Sequence, residues 1–340
     1  MAELRDLYDI NGNKTDKTYH KGDTIPSGYY PMVVMVVIRN SKGQFLMQKR
    51  VPSKGGDWGV TGGHPKAGET PLEGIVTEVK EELGLDFSNE IFVQYDSGCD
   101  GKDCYKMYFV NKDININDIR IQEEELTEVK WFSMDELKCM VKSNELNEDQ
   151  IACFNKVCNY LEKLNAISFK PLKNEESQFA KIHKWCQNKF VYEWFEQREL
   201  SFDEICNKYR NKLLSNKQKL FLIRYNNKDI GLVQIYKFEK DIDLKELDKF
   251  KTIYEYDLFI GEENYLSKGL GVIIVNLINE LIYSKYKADA IILRPFKRNN
   301  RAIKCYQKAN FKKLSEYVGV DTLDNPEKLV VLLNSKNTNN

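Results

Sequence analysis

The stretch GGHPKAGETPLEGIVTEVKEELGLDF, residues 62–87, is the most informative in the chain. Thr70, Pro71 and Glu73 predict a helix start, with Thr70 as N-cap, Pro71 in the first helical position and Glu73 completing a capping box. Gly84 predicts its stop. At about 100° per residue, Leu72, Ile75, Val76, Val79 and Leu83 fall on one stripe that should face a core. Glu78, Glu81 and Glu82 fall on an adjacent face at spacing i, i+3, i+4. Three carboxylates so close repel one another unless a cation neutralises them. Gly74, one turn before Glu78, is expected to leave that face open. Hard oxygen ligands there suit Mg²⁺ or Mn²⁺, which keep waters and take up substrate phosphates. On spacing alone, a solvated acidic face is the alternative.

Strand signals surround this helix. NG at 11–12, the run Met32–Ile38, the turn NSKG at 40–43 and FLMQKR at 45–50 come before it, and Tyr105–Val110 and Thr127–Phe132 follow. Ile151, Phe154, Val157, Cys158, Leu161 and Leu164 repeat at helical spacing and predict an amphipathic helix closing a first domain. ISFKPL (167–172) then opens a second, which puts the seam near Asn165 and the domains at 1–165 and 166–340. The second half reads as strand, helices, a strand pair about YNNKDIG (225–231) and a strand at 252–260. A glycine-rich turn, an apolar helix, a strand at 290–293, a helix near 300–309 and a strand around 329–333 complete it. A length of 340 residues fits two domains at roughly 150 residues each, and both halves mix helix and strand, as in α/β and α+β folds.

Composition removes several classes of function. Lys and Arg number 51 against 51 Asp and Glu, a balance that argues against a dedicated nucleic-acid or membrane-surface binder. The longest apolar run, Met32–Ile38, falls far short of the ~20 residues that span a bilayer. The opening MAELRDLYD carries no secretory signal, so a cytoplasmic location is expected. The eight cysteines are expected as reduced thiols. Among them, Cys99 and Cys104 in the loop CDGKDC form a weak soft-metal candidate. Only the tail SKNTNN is low in complexity.

Gly63, five residues, Glu69, seven residues and then TEVKEELGL resembles the Nudix box. One fixed position departs: the family's arginine before the first helix glutamate is Thr77, which cannot make that arginine's ion pair. The resemblance implies an α/β/α sandwich that hydrolyses a diphosphate linked to another group. It implies metal ligation by Glu78 and Glu82, catalytic assistance from Glu81, and support of the loop by Glu69. A general base from a later loop would be one of Glu123, Glu124, Glu125 and Glu128, and Arg50 is a candidate for a substrate phosphate. The segments DLYD, YYPMVVMVVI and FLMQKR are similar to Nudix proteins related to isopentenyl diphosphate isomerase, and His64 echoes a histidine of that branch. No cysteine precedes Cys99, so isomerisation by that branch's upstream cysteine is not expected. With Thr77 in place, a non-catalytic module that binds a diphosphate is the alternative.

In the second half, Leu266-Ser-Lys-Gly-Leu-Gly271 precedes the apolar stretch Val272–Ile282. Glycines at a helix start expose backbone N–H groups to a pyrophosphate, although a mere tight turn reads the same way. Downstream, NNRAIKCYQKANF (299–311) puts Asn299, Ala302 and Tyr306 on one side of a short helix. Together these resemble the GNAT acetyltransferases over about residues 167–335, a mixed-sheet acyltransferase fold. Acetyl-CoA would then be cradled by Lys268, Gly269, Leu270 and Gly271, with Asn299. Leu266 and Asn310 depart from the family pattern.

Within that family, HKWCQNKFVYEWF (183–195), IGLVQIY (230–236), YDLFIG (256–261), LSKGLG and RAIKCYQKANF are similar to aminoglycoside 6′-N-acetyltransferases. By that match Asp257 is the base, or holds the amine, and Tyr306 protonates the leaving thiolate. Glu193, Glu196 and Asp257 would make an acidic pocket, with Gln234 and Tyr236 hydrogen-bonding hydroxyls. Arg294 stands where several relatives carry an aspartate, which favours other small amines, of the kind found in lysine-derived siderophore precursors. The expectation is a bifunctional enzyme whose partners are a small amine and a small diphosphate, with neither membrane nor dedicated nucleic-acid binding.

Overall fold

A computed structural model describes residues 3–239, 241–242 and 244–335, so the tail beyond Ser335 lies outside the described residues. The chain divides into two compact units that change over between Tyr160 and Leu161.

In the first unit, β1 (Leu4–Tyr8) and β2 (Lys14–His20) form a hairpin whose turn carries the NG pair. Then come β3 (Met32–Arg39), β4 (Phe45–Arg50), β5 (Trp58–Gly59), β6 (Thr61–Gly63) and helix α1 (Pro71–Leu83). Strands β7 (Val93–Cys99), β8 (Cys104–Asn111) and β9 (Leu126–Phe132) follow, and α2 (Met134–Lys142) and the part of α3 (Glu148–Ala166) up to Tyr160 close the unit. The sheet runs β5-β4-β3-β8-β7, with β6 paired to β3 and β9 to β4. Strands β3 and β8 are parallel, Val34 opposite Lys106.

Successive residues of a strand face opposite sides, so β8 serves two layers. Tyr108 and Val110 join Ile75, Val79 and Leu83 of α1 in one core, while Phe109 meets Tyr160 of α3 at 5.4 Å between ring centres. The result is an α/β/α sandwich. Burying the three α1 side chains contributes about 1.5–3 kcal/mol each. The buried face of α3 is Cys153, Val157, Tyr160 and Leu161, rotated from the expected stripe because Tyr160 also packs on Tyr95 at 5.5 Å.

The cysteine expectation needs one correction. Cys99 and Cys104 face each other across the β7–β8 hairpin and form a disulfide. Directly opposed strand residues bring their Cβ atoms within bonding range, and bonded sulfurs are not thiolate ligands.

The second unit starts with β10 (Ile167–Pro171), α4 (Glu176–Cys186), α5 (Lys189–Phe195) and α6 (Phe202–Ser215). Next are β11 (Gln218–Tyr225), β12 (Lys228–Lys237), β13 (Ile253–Ile260), α7 (Leu270–Lys285) and β14 (Ala290–Leu293). Helix α8 (Asn300–Lys308) and strands β15 (Lys312–Val320) and β16 (Pro326–Ser335) finish it. The sheet order is β10-β11-β12-β13-β14-β16-β15. Phe179, Ile182, Ile205 and Tyr209 seat α4 and α6 on Leu222 and Leu232 of the sheet. Strand β15 was not expected: KKLSEYVGV alternates polar and half-buried positions on an edge, too weak a period to see.

Strands β13 and β14 are parallel and joined through α7, as a crossover requires. Their pairing runs from Ile253–Ala290 to Glu255–Ile292, and Asp257 follows two residues on. Helix α7 buries Ile274, Val275, Ile278 and Ile282 completely. A hydrogen bond of 3.1 Å from the Tyr256 hydroxyl to Asn279 pins it to β13. Among the described residues, no helix is long and apolar enough to cross a membrane.

Candidate active sites

Helix α1 begins as its sequence requires. The Glu73 N–H donates to the Thr70 hydroxyl at 3.2 Å, and the Thr70 N–H donates to the Glu73 carboxylate at 2.7 Å. The loop before it is tied down by Glu69, which accepts the Lys66 N–H and the Thr77 hydroxyl, both at 2.8 Å. Thr77 thus replaces an ion pair with a hydrogen bond to the same loop. Strand β1 straps the loop from outside: Gly68 donates its N–H to Asp6 and Ala67 to the Leu4 carbonyl, each at 2.8 Å.

Glu78 and Glu82 occupy the inner side of this helix. A Cβ on Gly63 would lie 2.2 Å from Glu78 Oε1, so only glycine lets the carboxylate approach that strand. The His64 backbone N–H donates to Glu78. Glu82 is 6% exposed and accepts from Gln48 Nε2 at 2.7 Å, while Gln48 Oε1 accepts the Thr61 hydroxyl at 2.8 Å. Gln48, a buried residue the sequence did not flag, therefore aims Glu82. Burial, then the neighbouring Glu82 and Glu81 charges, push Glu78 up to about 8. Burial likewise pushes Glu82 up to about 7, against the pull of Gln48 and Arg50.

Two adjoining carboxyls held so far above their ordinary range are a hard-oxygen donor set that a divalent cation would neutralise. Such a set fits Mg²⁺ or Mn²⁺, which bind through one or two carboxylates, waters and substrate phosphates. Among the described residues, no group of three or more His, Cys, Asp or Glu side chains is arranged to hold a metal ion. Glu81 turns outward, its carboxylate 2.5 Å from Lys66 Nζ. The Gly74 expectation is corrected: that face is not open, because Pro65 packs there, 2.7 Å from where a Cβ would stand. Arg50 lies near enough to lower Glu82, and Glu125, ion-paired to Lys54, near enough to raise it. Glu123, Glu124 and Glu128 are exposed.

His64 is held near 4 by burial, with Arg5 and Lys21 adding to the effect and Glu3 opposing it. An imidazole with a lowered folded-state pKa binds its proton more readily in the unfolded chain. Stability should therefore fall as pH drops from about 6.5 to 4, and His64→Asn should flatten that limb of a melting-temperature profile.

The second site is a cleft of about 570 Å³ in the C-terminal unit, opening where β13 and β14 stop pairing. Asp257 lies within it and accepts the Tyr236 hydroxyl at 3.0 Å. Surrounding protein raises the Asp257 pKa, opposed by Tyr236, Lys212, Arg294 and Lys208. Tyr306, on α8, lines the same cleft, as do Gln234, Gly271 and Asn299. Burial raises the Tyr306 phenol, with smaller contributions from Cys305 and Asp257. Asn299 is also the N-cap of α8, accepting the Ala302 N–H at 3.1 Å. Lys268 and Gly269 precede α7, and Gly269 caps it with a φ of 76°. Lys268, Gly269 and Leu270 are not in the cleft lining, nor are Tyr236 and Glu193. Glu193 lies 3.5 Å from Arg298.

The expected acidic pocket is corrected. Lys208, Lys212, Arg294 and Arg301 line the cleft with Glu196, Asp257 and Asp321, four cations to three carboxylates. Glu196 is ion-paired with Lys208. Arg294 is neutralised: its guanidinium meets Glu255 at 2.7 and 2.8 Å and Asp241 at 2.8 Å. Burial pushes Glu255 up to about 7 even with Arg294 pulling down. Arg294→Ala strands that carboxyl, 5% exposed, and should cost roughly 3–5 kcal/mol. A raised carboxyl destabilises most when charged, so the loss should be larger at pH 8 than at pH 6 in a thermal melt.

Lys212, on α6, is a cleft residue that sequence reading missed, as it missed Lys208, Arg301 and Asp321. Its Nζ donates to Gln234 Oε1, and Gln234 stands opposite Asp257 in the β12–β13 register. Burial and the Lys208 charge bring Lys212 down to about 8.

Each unit matches a known protein domain. Residues 29–152 match the NUDIX domain and residues 174–318 the acetyltransferase (GNAT) domain. An uncharacterized Nudix hydrolase of Listeria innocua is 34% identical over 149 residues, covering 41% of this chain and 85% of that protein. An aminoglycoside N(6′)-acetyltransferase type 1 of Klebsiella pneumoniae is 25% identical over 142 residues, covering 41% and 71%. A solved aminoglycoside acetyltransferase, AAC(6′)-Ib with paromomycin and acetyl-CoA, is 20% identical, covering 52% of this chain and 98% of that one at a TM-score of 0.42.

Proposed function

Since the chain belongs to the Nudix family through its N-terminal unit and carries a GNAT acetyltransferase domain in its C-terminal one, we propose that it is bifunctional. The domains meet near Asn165, the first hydrolysing a small diphosphate and the second acetylating a primary amine. The observation that carries the second assignment is Asp257, set at the end of the β13–β14 pairing in a cleft shared with Tyr306.

In that cleft the substrate ammonium gives its proton to Asp257, whose raised pKa brings the carboxylate closer to neutrality and makes it a better base. The free amine attacks the acetyl-CoA thioester, forming the C–N bond as the C–S bond breaks. Tyr306 protonates the departing thiolate, and its phenolate takes the second proton that the nitrogen sheds on becoming an amide. Acetyl-CoA is held by the backbone at Lys268, Gly269, Leu270 and Gly271, ahead of α7, with Asn299 beside it. The Klebsiella relative's name makes an aminoglycoside 6′-amine the first acceptor to try, with Gln234 as a contact in the cleft and Tyr236 acting through its bond to Asp257. A second reading, a small amine that is not a polycation, is favoured by Lys212, which lines the cleft with its amine on the neutral amide of Gln234. Purified protein with acetyl-CoA and a panel of amines should release free thiol, kanamycin and simple diamines being the first two arms. No release from any amine would sink the transferase assignment.

In the N-terminal unit, Glu78 and Glu82 would hold Mg²⁺ or Mn²⁺, whose contribution would be to polarise the diphosphate and lower the pKa of a water. Arg50 meets a phosphate, Glu125 is the base its place beside Glu82 favours, and Glu81 keeps Lys66 against the loop. Phosphate release from nucleotide sugars, dinucleotides and isoprenoid diphosphates tests this reading. Diphosphate binding without turnover would leave the unit a binding module.

A further inference from the structure

Acceptor choice in the acetyltransferase cleft turns on which charges remain to greet a ligand. Glu196 is used by Lys208, and Arg294 by Glu255 and Asp241. Asp321 accepts the backbone N–H groups of Leu323 and Asn325. Arg301 is exposed on α8, the helix that carries Tyr306. Lys212 differs from all of these. Its amine meets the neutral amide of Gln234, and Gln234 lies directly across the β12–β13 ladder from Asp257. One acceptor-binding wall therefore presents an ammonium and a carboxylate on either side of Gln234, the first bonded to its amide and the second opposite it in the strand register.

From this juxtaposition we infer that the acceptor carries an anionic group, a carboxylate or a phosphate, near its amine, with Lys212 binding the anion while Asp257 takes the amine. This rests on the acetyl-transfer reading and narrows its substrate class. The side chain of Lys212 is pressed against protein and its ammonium is disfavoured there. Asp257 and Glu196 favour its charge without an ion-pair contact, and an incoming anion supplies the contact counter-charge that Gln234 cannot. A polycation meets the opposite situation, since its further amines approach Lys212 along with the one Asp257 accepts. Arg294, the cation visible in the sequence, is not the discriminator, because its charge is already spent on Glu255 and Asp241.

The test uses acceptors matched except for the anion: lysine against cadaverine, ornithine against putrescine, and glucosamine 6-phosphate against glucosamine, with kanamycin as polycation. Thiol release by the whole chain should favour the acid-bearing member of at least one pair by about tenfold in kcat/KM, mostly through KM. The carboxylate and phosphate arms tell the two sources apart. Lys212→Arg should keep the preference, Lys212→Gln should lose it, and Lys212→Glu should invert it. Equal or better use of the anion-free members by the wild type overturns the proposal while leaving acetyl transfer intact. If nothing turns over, the melting temperature of the acetyl-CoA-loaded protein is titrated with the same pairs. Stabilisation by the acid-bearing member, lost in Lys212→Gln, sustains the anion site, and its absence overturns it.

Discussion

Asp257→Asn is expected to lower kcat for acetyl transfer by about 10²–10⁴-fold, the usual contribution of a positioned general base. The substitution is nearly isosteric, and an asparagine carbonyl can still accept the Tyr236 hydroxyl that now lies 3.0 Å from the carboxylate. It also removes a charge that its surroundings disfavour, so the variant should melt no lower than the wild type. Loss of thiol release without loss of stability separates chemistry from folding. The pH profile gives a second measure. Wild-type kcat/KM should rise as the Asp257 carboxyl deprotonates, at a pH above the ordinary carboxylate range, and that rise should vanish in the variant. An Asp257→Asn protein that keeps most of its kcat moves the base elsewhere.

Glu82→Gln should be as costly in the other unit, lowering diphosphate hydrolysis by about 10²-fold or more through lost metal affinity. Its local hydrogen bond survives, because a glutamine oxygen can still accept from Gln48 Nε2, 2.7 Å away in the native site. Burial holds the Glu82 carboxyl at about 7, above its ordinary 4.5, so the charged form destabilises the fold once the pH passes that value. Replacing it with a neutral amide should therefore raise the melting temperature of the metal-free protein at pH 8. The same change should abolish the rise that added Mg²⁺ gives the wild type. Turnover that survives the substitution overturns the ligand assignment.

The first helix was legible to the residue: its cap, its stop and its buried stripe each follow from local chemistry spaced at most four positions apart. The glutamates it carries could be listed but not aimed. Glu81 differs from Glu82 by one step around the helix, and only the fold decides that Lys66 takes the one and Gln48 the other. Gln48 sits in a strand 34 residues upstream of Glu82, and a lone glutamine in FLMQKR carries no local signal. Arg294 was visible as a cation in the cleft motif, yet its neutralising partners lie 39 and 53 residues away. Lys212 was invisible for the reverse reason. It stands on an ordinary amphipathic helix, FDEICNKYRNKLLS, where a lysine reads as solvent-facing until α6 is laid against the sheet.

The bond from Thr77 to Glu69 has a bearing on working conditions. An arginine–glutamate latch at that place would weaken as added electrolyte screens it, with a Debye length near 3 Å at 1 M salt. A hydroxyl donor carries no net charge to be screened, so this tie on the loop should hold in brine as in dilute buffer, while the exposed Lys66–Glu81 pair beside it loosens.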